Sequence, residues 1–135
     1  MHLSIASAKE LFRPALECGS GPKLLLVCPK TVETVAFSGI IPVLCNWDEV
    51  KLPPGKYEDI VMFLDSLPLI RLKEFYQMVF YALAKEGCLS LFLSQCPCED
   101  KVFDEHHRAC KEAGFCAPVL LHENQALTVT ARACN

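Results

Sequence analysis

The stretch KYEDIVMFLDSLP, Lys56 to Pro68, and the stretch EGCLSLFLSQ, Glu86 to Gln95, decide the fold together with what lies between them. Asp59 to Leu64 is a short apolar run, the pattern of a strand covered on both faces. Leu69 to Glu86 then places Leu69, Leu72, Phe75, Tyr76, Val79, Phe80 and Leu83 at helical spacing, with Gly87 where a helix would close. Phe75 and Phe80 are expected in the core and the tyrosines at its margin. Cys88 to Leu93 is a second buried run. A strand, a long helix and a strand in that order imply a parallel pair joined by a right-handed crossover.

Upstream, Gly19, Gly21 and Pro22 punctuate the chain before Leu24 to Val27, an all-apolar run that reads as the first central strand. Ser7 to Leu16 has helical spacing with Ser7 as its cap, and Pro14 predicts a short or broken helix. Thr31 to Ala36 reads as a two-turn helix closed by Gly39. Ile40 to Leu44 reads as a strand that Pro42 confines to a sheet edge. Asn46 to Lys56 is polar and carries Pro53, Pro54 and Gly55, a loop on which Trp47 is expected as an exposed contact, with cover of the sheet edge as the alternative.

Downstream, Asp100 to Ala113 reads as a helix with Val102, Phe103, His106, His107, Cys110 and Ala113 on its inner face, closed by Gly114. Val119 to His122, a turn at Glu123 and Asn124, and Ala126 to Ala131 form a hairpin. The expectation is one α/β domain over 1–135, a three-layer Rossmann-like sandwich with its core in 23–133. Its sheet is mostly parallel, with a C-terminal antiparallel hairpin and with Leu24–Val27, Ile60–Leu64 and Leu89–Leu93 as inner strands.

Composition narrows the function. An apolar share of 52% against 21% charged residues is that of a chain able to bury a core, which argues against disorder. A formal charge of −3 with mixed signs offers no basic stripe for a phosphate backbone, so nucleic acid is not expected as a partner. No window has the roughly 18 uninterrupted apolar residues of a membrane span, and the start MHLSIASAKELF is unlike a secretory signal. Nine cysteines, an odd number placed mostly in apolar runs, suit free thiols in a reducing compartment. The cytoplasm is the expected location.

Two sets of residues carry candidate chemistry. Cys96, Cys98, His106 and Cys110, with His107 beside them, join a C-x-C loop to a helix bearing His and Cys at i, i+4, ligand types that suit zinc. The pairs lack the usual C-x-x-C spacing, and Pro97 stiffens the loop, so no metal is expected. A nucleophilic Cys–His pair would lack a third, orienting residue. Asp65, with Ser66, stands at the end of a strand, where ligand crevices form in open α/β sheets, although it could equally cap the next helix.

The alternation of strands and helices, the segments YEDIVMFLDSLP and EGCLSLFLSQ, and the ending KEAGF (Lys111 to Phe115) with LTVTARA resemble class I methyltransferases from Lys23 to Ala133. That resemblance implies a truncated S-adenosylmethionine methyltransferase-like sheet. It also implies a glycine-rich turn after the first strand, and here that turn reads Val27, Cys28, Pro29, Lys30, Thr31 and Val32, with no glycine. Within the resemblance, the N-terminal domain of the anamorsin family, cytosolic iron–sulfur assembly factors, is the best match in type. It implies a non-catalytic protein-interaction domain, a pseudoenzyme with no catalytic residue and no cofactor. Side chains on Cys28, Pro29 and Lys30, where glycine would leave room, predict no calorimetric response to S-adenosylmethionine up to about 1 mM. The partners implied by the resemblance are a diflavin reductase or a cysteine-rich iron–sulfur domain. The cluster-ligating motifs of that family's tail are not among these 135 residues, so cluster binding is not carried over. The alternative is a divergent small methyltransferase that holds its cofactor through Asp48, Glu49 and Asp65. A zinc-binding regulatory domain is the second alternative.

Overall fold

The computed structural model of the chain describes residues 3–29, 39–97 and 99–134. The elements run α1 (Ile5–Glu17), β1 (Lys23–Val27), β2 (Val43–Leu44), β3 (Tyr57–Leu64), α2 (Leu72–Ala82), β4 (Leu83–Leu93), α3 (Asp100–Ala113), β5 (Phe115–Glu123) and β6 (Ala126–Ala133). The six strands form one sheet in the order β2-β1-β3-β4-β6-β5. β1 is parallel to β2 and β3, and β3 to β4, whereas β6 is antiparallel to both β4 and β5. The three expected inner strands are all interior.

Alternation along the strands builds the layers. Leu24 and Leu26, Ile60, Met62 and Leu64, and Leu89, Leu91 and Leu93 share one buried cluster with α2 and α3. Leu25, Val27, Val61, Phe63 and Phe92 pack with Ala8, Phe12 and Leu16 of α1 on the opposite face. Runs that are apolar at every position are what a sheet covered on both faces requires. Because α1 is part of this packing, the packed body begins before Lys23.

Several boundaries differ from expectation, each for a local reason. α1 is not broken at Pro14, which is exposed and so leaves the unpartnered carbonyl of the preceding turn to water. Its cap is Ser4, not Ser7, and the two form a reciprocal capping box, Ser7 N donating to Ser4 Oγ at 3.2 Å and Ser4 N to Ser7 Oγ at 2.7 Å. Ser4→Ala is therefore expected to cost about 1 kcal/mol in urea unfolding, and a change within a few tenths would show that the box does not hold the helix. The expected helix over Thr31 to Ala36 lies outside the described residues. The second strand is only Val43–Leu44 and sits at the edge, as Pro42 requires.

The long helix is shorter than its stripe. Leu69–Arg71 is a tight 3-10 turn, α2 ends at Ala82, and Leu83 already pairs with Tyr57 of β3. Between that pair and Asp59–Cys88 the register shifts, with Glu86 at φ 61°. Gly87 is thus part of an irregular strand, not a helix cap. A Cβ there would lie 2.9 Å from the Ala84 carbonyl oxygen and 3.0 Å from that of Tyr57, so close backbone approach explains the glycine. Gly114 does close α3 in the left-handed region, with Gly114 N bonded to the Lys111 carbonyl. The hairpin turns at Asn124 and Gln125, both at positive φ, one residue later than expected.

Candidate functional site

β1, β2 and β3 run in the same direction, so the segments after them meet at one end of the sheet. Cys28 leaves β1, Asn46 and Trp47 follow β2, and Asp65 and Ser66 follow β3; with Leu64 they line a crevice of about 190 Å³. Cys28 N donates to the Phe63 carbonyl and Ser94 N to that of Leu64, which continues the ladder to the crevice floor. The Asp65 carboxylate accepts from Ser94 Oγ at 3.3 Å and from Cys28 Sγ at 3.5 Å. Asp65 does not cap α2, whose N-cap position is held by Arg71 with no side-chain cap hydrogen bond. It is held at the strand tips, where α/β sheets receive ligands.

Asp48 and Glu49, the other two acidic candidates, do not line this crevice. Asp48 accepts from Arg71 Nη1 at 2.7 Å, and that hydrogen bond holds its carboxyl below the usual range. Glu49 accepts from Asn46 Nδ2 at 2.5 Å. Arg71 also binds Glu74 and lies over the Trp47 ring, 4.5 Å from its centroid. Trp47 is buried and packs edge-on against Phe75, so the exposed contact expected of it is corrected. Trp47 thus covers the edge of the core and also lines the crevice. Asn46 was missed by sequence reasoning, the only available signal being its place just after a strand.

The candidate zinc ligands are placed as follows. Cys96, His106 and Cys110 are buried in the cluster between the sheet and α2 and α3, and Cys98 lies outside the described residues. Among the described residues no three His, Cys, Asp or Glu side chains are grouped to hold a metal. His106 Nδ1 and Tyr76 Oη lie 2.8 Å apart in a buried hydrogen bond between imidazole and phenol. Tyr76 is fully buried, not marginal, while Tyr81 is exposed. Burial pushes His106 down to about 4 and the Cys110 thiol up to about 12.

Cys18, Cys45, Cys88 and Cys110 are free thiols, as expected, whereas Cys116 and Cys134 are joined in a disulfide between β5 and the end of β6. At the other end of the sheet from the crevice, Lys23 and Asp59 form a largely buried ion pair, with desolvation raising Asp59 against the opposing pull of Lys23. No helix among the described residues is long and apolar enough to cross a membrane.

The sequence matches no protein-family model and no curated protein. Among solved structures, the chain is similar to an S-adenosylmethionine-dependent O-methyltransferase from Thermotoga maritima, at 7% identity and a TM-score of 0.63, over 100% of this chain and 68% of that one. It is similar to a putative O-methyltransferase from Nostoc punctiforme, at 14% identity and a TM-score of 0.62, over 94% and 56%. It is also similar to human N-acetylserotonin methyltransferase in complex with S-adenosylmethionine, at 12% identity and a TM-score of 0.54, over 90% and 43%. The chain therefore spans between 43% and 68% of the length of these proteins. The fold is methyltransferase-like and Rossmann-type, as the strand order implies. The expectation of a non-catalytic domain is overturned by these neighbours, all of them methyltransferases, and none of the three is an anamorsin. The missing glycine bears on one turn, whereas these neighbours are matched over 90% or more of the chain.

Proposed function

We propose that the chain is the catalytic core of a divergent S-adenosylmethionine-dependent methyltransferase. The observation that carries this reading is the polar crevice at the tips of β1, β2 and β3, in a sheet shared with proteins of that activity. The donor set fits the cofactor in kind. Asp65 supplies a carboxylate for a cationic ligand, Asn46 an amide and Ser66 a hydroxyl, and Ser94 holds Asp65 in place. In size the crevice encloses about 190 Å³, less than the roughly 300 Å³ at which sites for drug-sized ligands begin, so it takes only a part of such a molecule. When bound, S-adenosylmethionine supplies a methyl carbon to an acceptor lone pair, the sulfur keeping the bonding pair and the acceptor's proton leaving to a base.

Calorimetry with S-adenosylhomocysteine tests the reading. Saturable binding is expected with a dissociation constant below about 1 mM, equivalent to about 4 kcal/mol. Asp65→Ala is expected to weaken it at least tenfold, the loss of a hydrogen bond to a charged group being worth about 1.5 to 3 kcal/mol. A flat titration of the native chain at about 1 mM ligand, or binding indifferent to Asp65→Ala, refutes the proposal.

A further inference from the structure

A second cavity, of about 290 Å³, lies beside the crevice on the other side of the segment Asp65 to Leu67. The two share a wall, because Gln95 N donates to the Asp65 carbonyl at 2.7 Å, and Gln95 lines the second cavity. Its floor is apolar and buried, formed by Leu67 after β3, Leu93 at the tip of β4, Cys96, and Val102 on the first turns of α3. This volume is at the small end of the roughly 300 to 1,000 Å³ of ligand sites, enough for one or two rings.

The rim has a different chemistry. Leu69, 38% exposed on its 3-10 turn, lines the cavity from its exposed end. Glu99 also lines it, exposed at the N-cap position of α3, where its carboxylate makes no cap hydrogen bond. Gln95 adds an amide. A carboxylate and an amide above an apolar floor select a neutral or cationic molecule that inserts a ring and leaves a hydrogen-bond donor at the mouth. They reject an anion.

We propose that this cavity binds a one- or two-ring aromatic compound carrying a hydroxyl or amine, and that this compound is the methyl acceptor. The binding site stands on the cavity itself, whereas its role as acceptor site rests on the methyltransferase reading above. In it, Leu67, Leu93 and Val102 take up the ring, and Glu99 receives the hydrogen bond from the ring's substituent.

The test is a titration of the full chain with 2-naphthol, followed by ligand-observed nuclear magnetic resonance. Saturable binding is expected below about 1 mM. Leu69→Trp, an exposed substitution that fills the mouth, is expected to weaken binding at least tenfold with thermal unfolding unchanged. Glu99→Ala is expected to weaken it severalfold and to leave the floor intact. The same variants, titrated with S-adenosylhomocysteine, are expected to bind it as the native chain does. No saturable 2-naphthol binding, or binding indifferent to Leu69→Trp, overturns the inference even where S-adenosylhomocysteine binds. Binding of 2-naphthol without S-adenosylhomocysteine overturns its role as acceptor and, separately, the methyltransferase reading, while the aromatic site stands.

Discussion

Leu91→Ala is expected to lower the unfolding free energy by about 2 to 5 kcal/mol, the range for truncating a well-packed aliphatic side chain. Leu91 is fully buried in β4 and lies in a row of paired residues that crosses the sheet, with Met62 of β3 on one side and Val129 of β6 on the other. Beyond Met62 the row continues to Leu26 of β1, and beyond Val129 to Leu120 of β5. Leu26, Met62 and Val129 are as buried as Leu91, so the neighbours have no direction in which to relax into the space left behind. The upper half of the range is therefore the expectation. Urea unfolding measures it, and a loss below about 1 kcal/mol would mean that β4 is not the central strand.

Acidification is expected to remove up to about 3 kcal/mol of stability through His106 alone. Burial lowers the folded pKa of this imidazole from 6.5 to about 4. The unfolded chain thus binds more protons than the native one between these values, and stability rises with pH there. The contribution is fully present above about pH 6.5 and is lost as the pH falls toward 4. The partner that His106 keeps while neutral is the Tyr76 hydroxyl, itself fully buried. Replacing both partners, as Tyr76→Phe with His106→Leu, removes the pair without leaving a lone buried polar group. Urea unfolding between pH 4 and 7 should give the double variant a shallower fall than the native chain, and parallel curves would show that His106 is not held neutral in the core.

The strands were legible because burial on both sides leaves an unmistakable local mark. Leu24 to Val27, Ile60 to Leu64 and Leu89 to Leu93 contain hardly a polar residue, and such runs have no place on a half-exposed sheet. The end of α2 was not legible, since Leu83 and Ala84 suit a helix by themselves and are drawn into β4 by pairing with Tyr57, a tertiary choice. Gly87 misled for the same reason: its neighbours in space are backbone atoms of another strand.

At the site, Asp65 could be marked because the end of a buried strand is a position with chemical meaning in this architecture. Asn46 and Arg71 could not, being polar residues in segments that read as ordinary loop or helix start. Asp48 and Glu49 stood on a polar loop with no such mark, and in the structure they are engaged by Arg71 and Asn46. The Tyr76–His106 pair joins two helices across 30 residues, a distance over which no periodicity carries information.

The place of β6 in the sheet bears on how the chain is made. β6 follows every other described strand in sequence, yet it lies between β4 and β5 and pairs with both. A nascent chain that has emerged only as far as Glu123 offers β5 no partner and leaves one edge of β4 bare. The sheet can close only after the ribosome has released residues 126–133, so β4 and β5 gain their shared partner in a single step. Until then an exposed apolar strand edge must be kept from other chains, and that interval, more than the finished structure, is where aggregation threatens it.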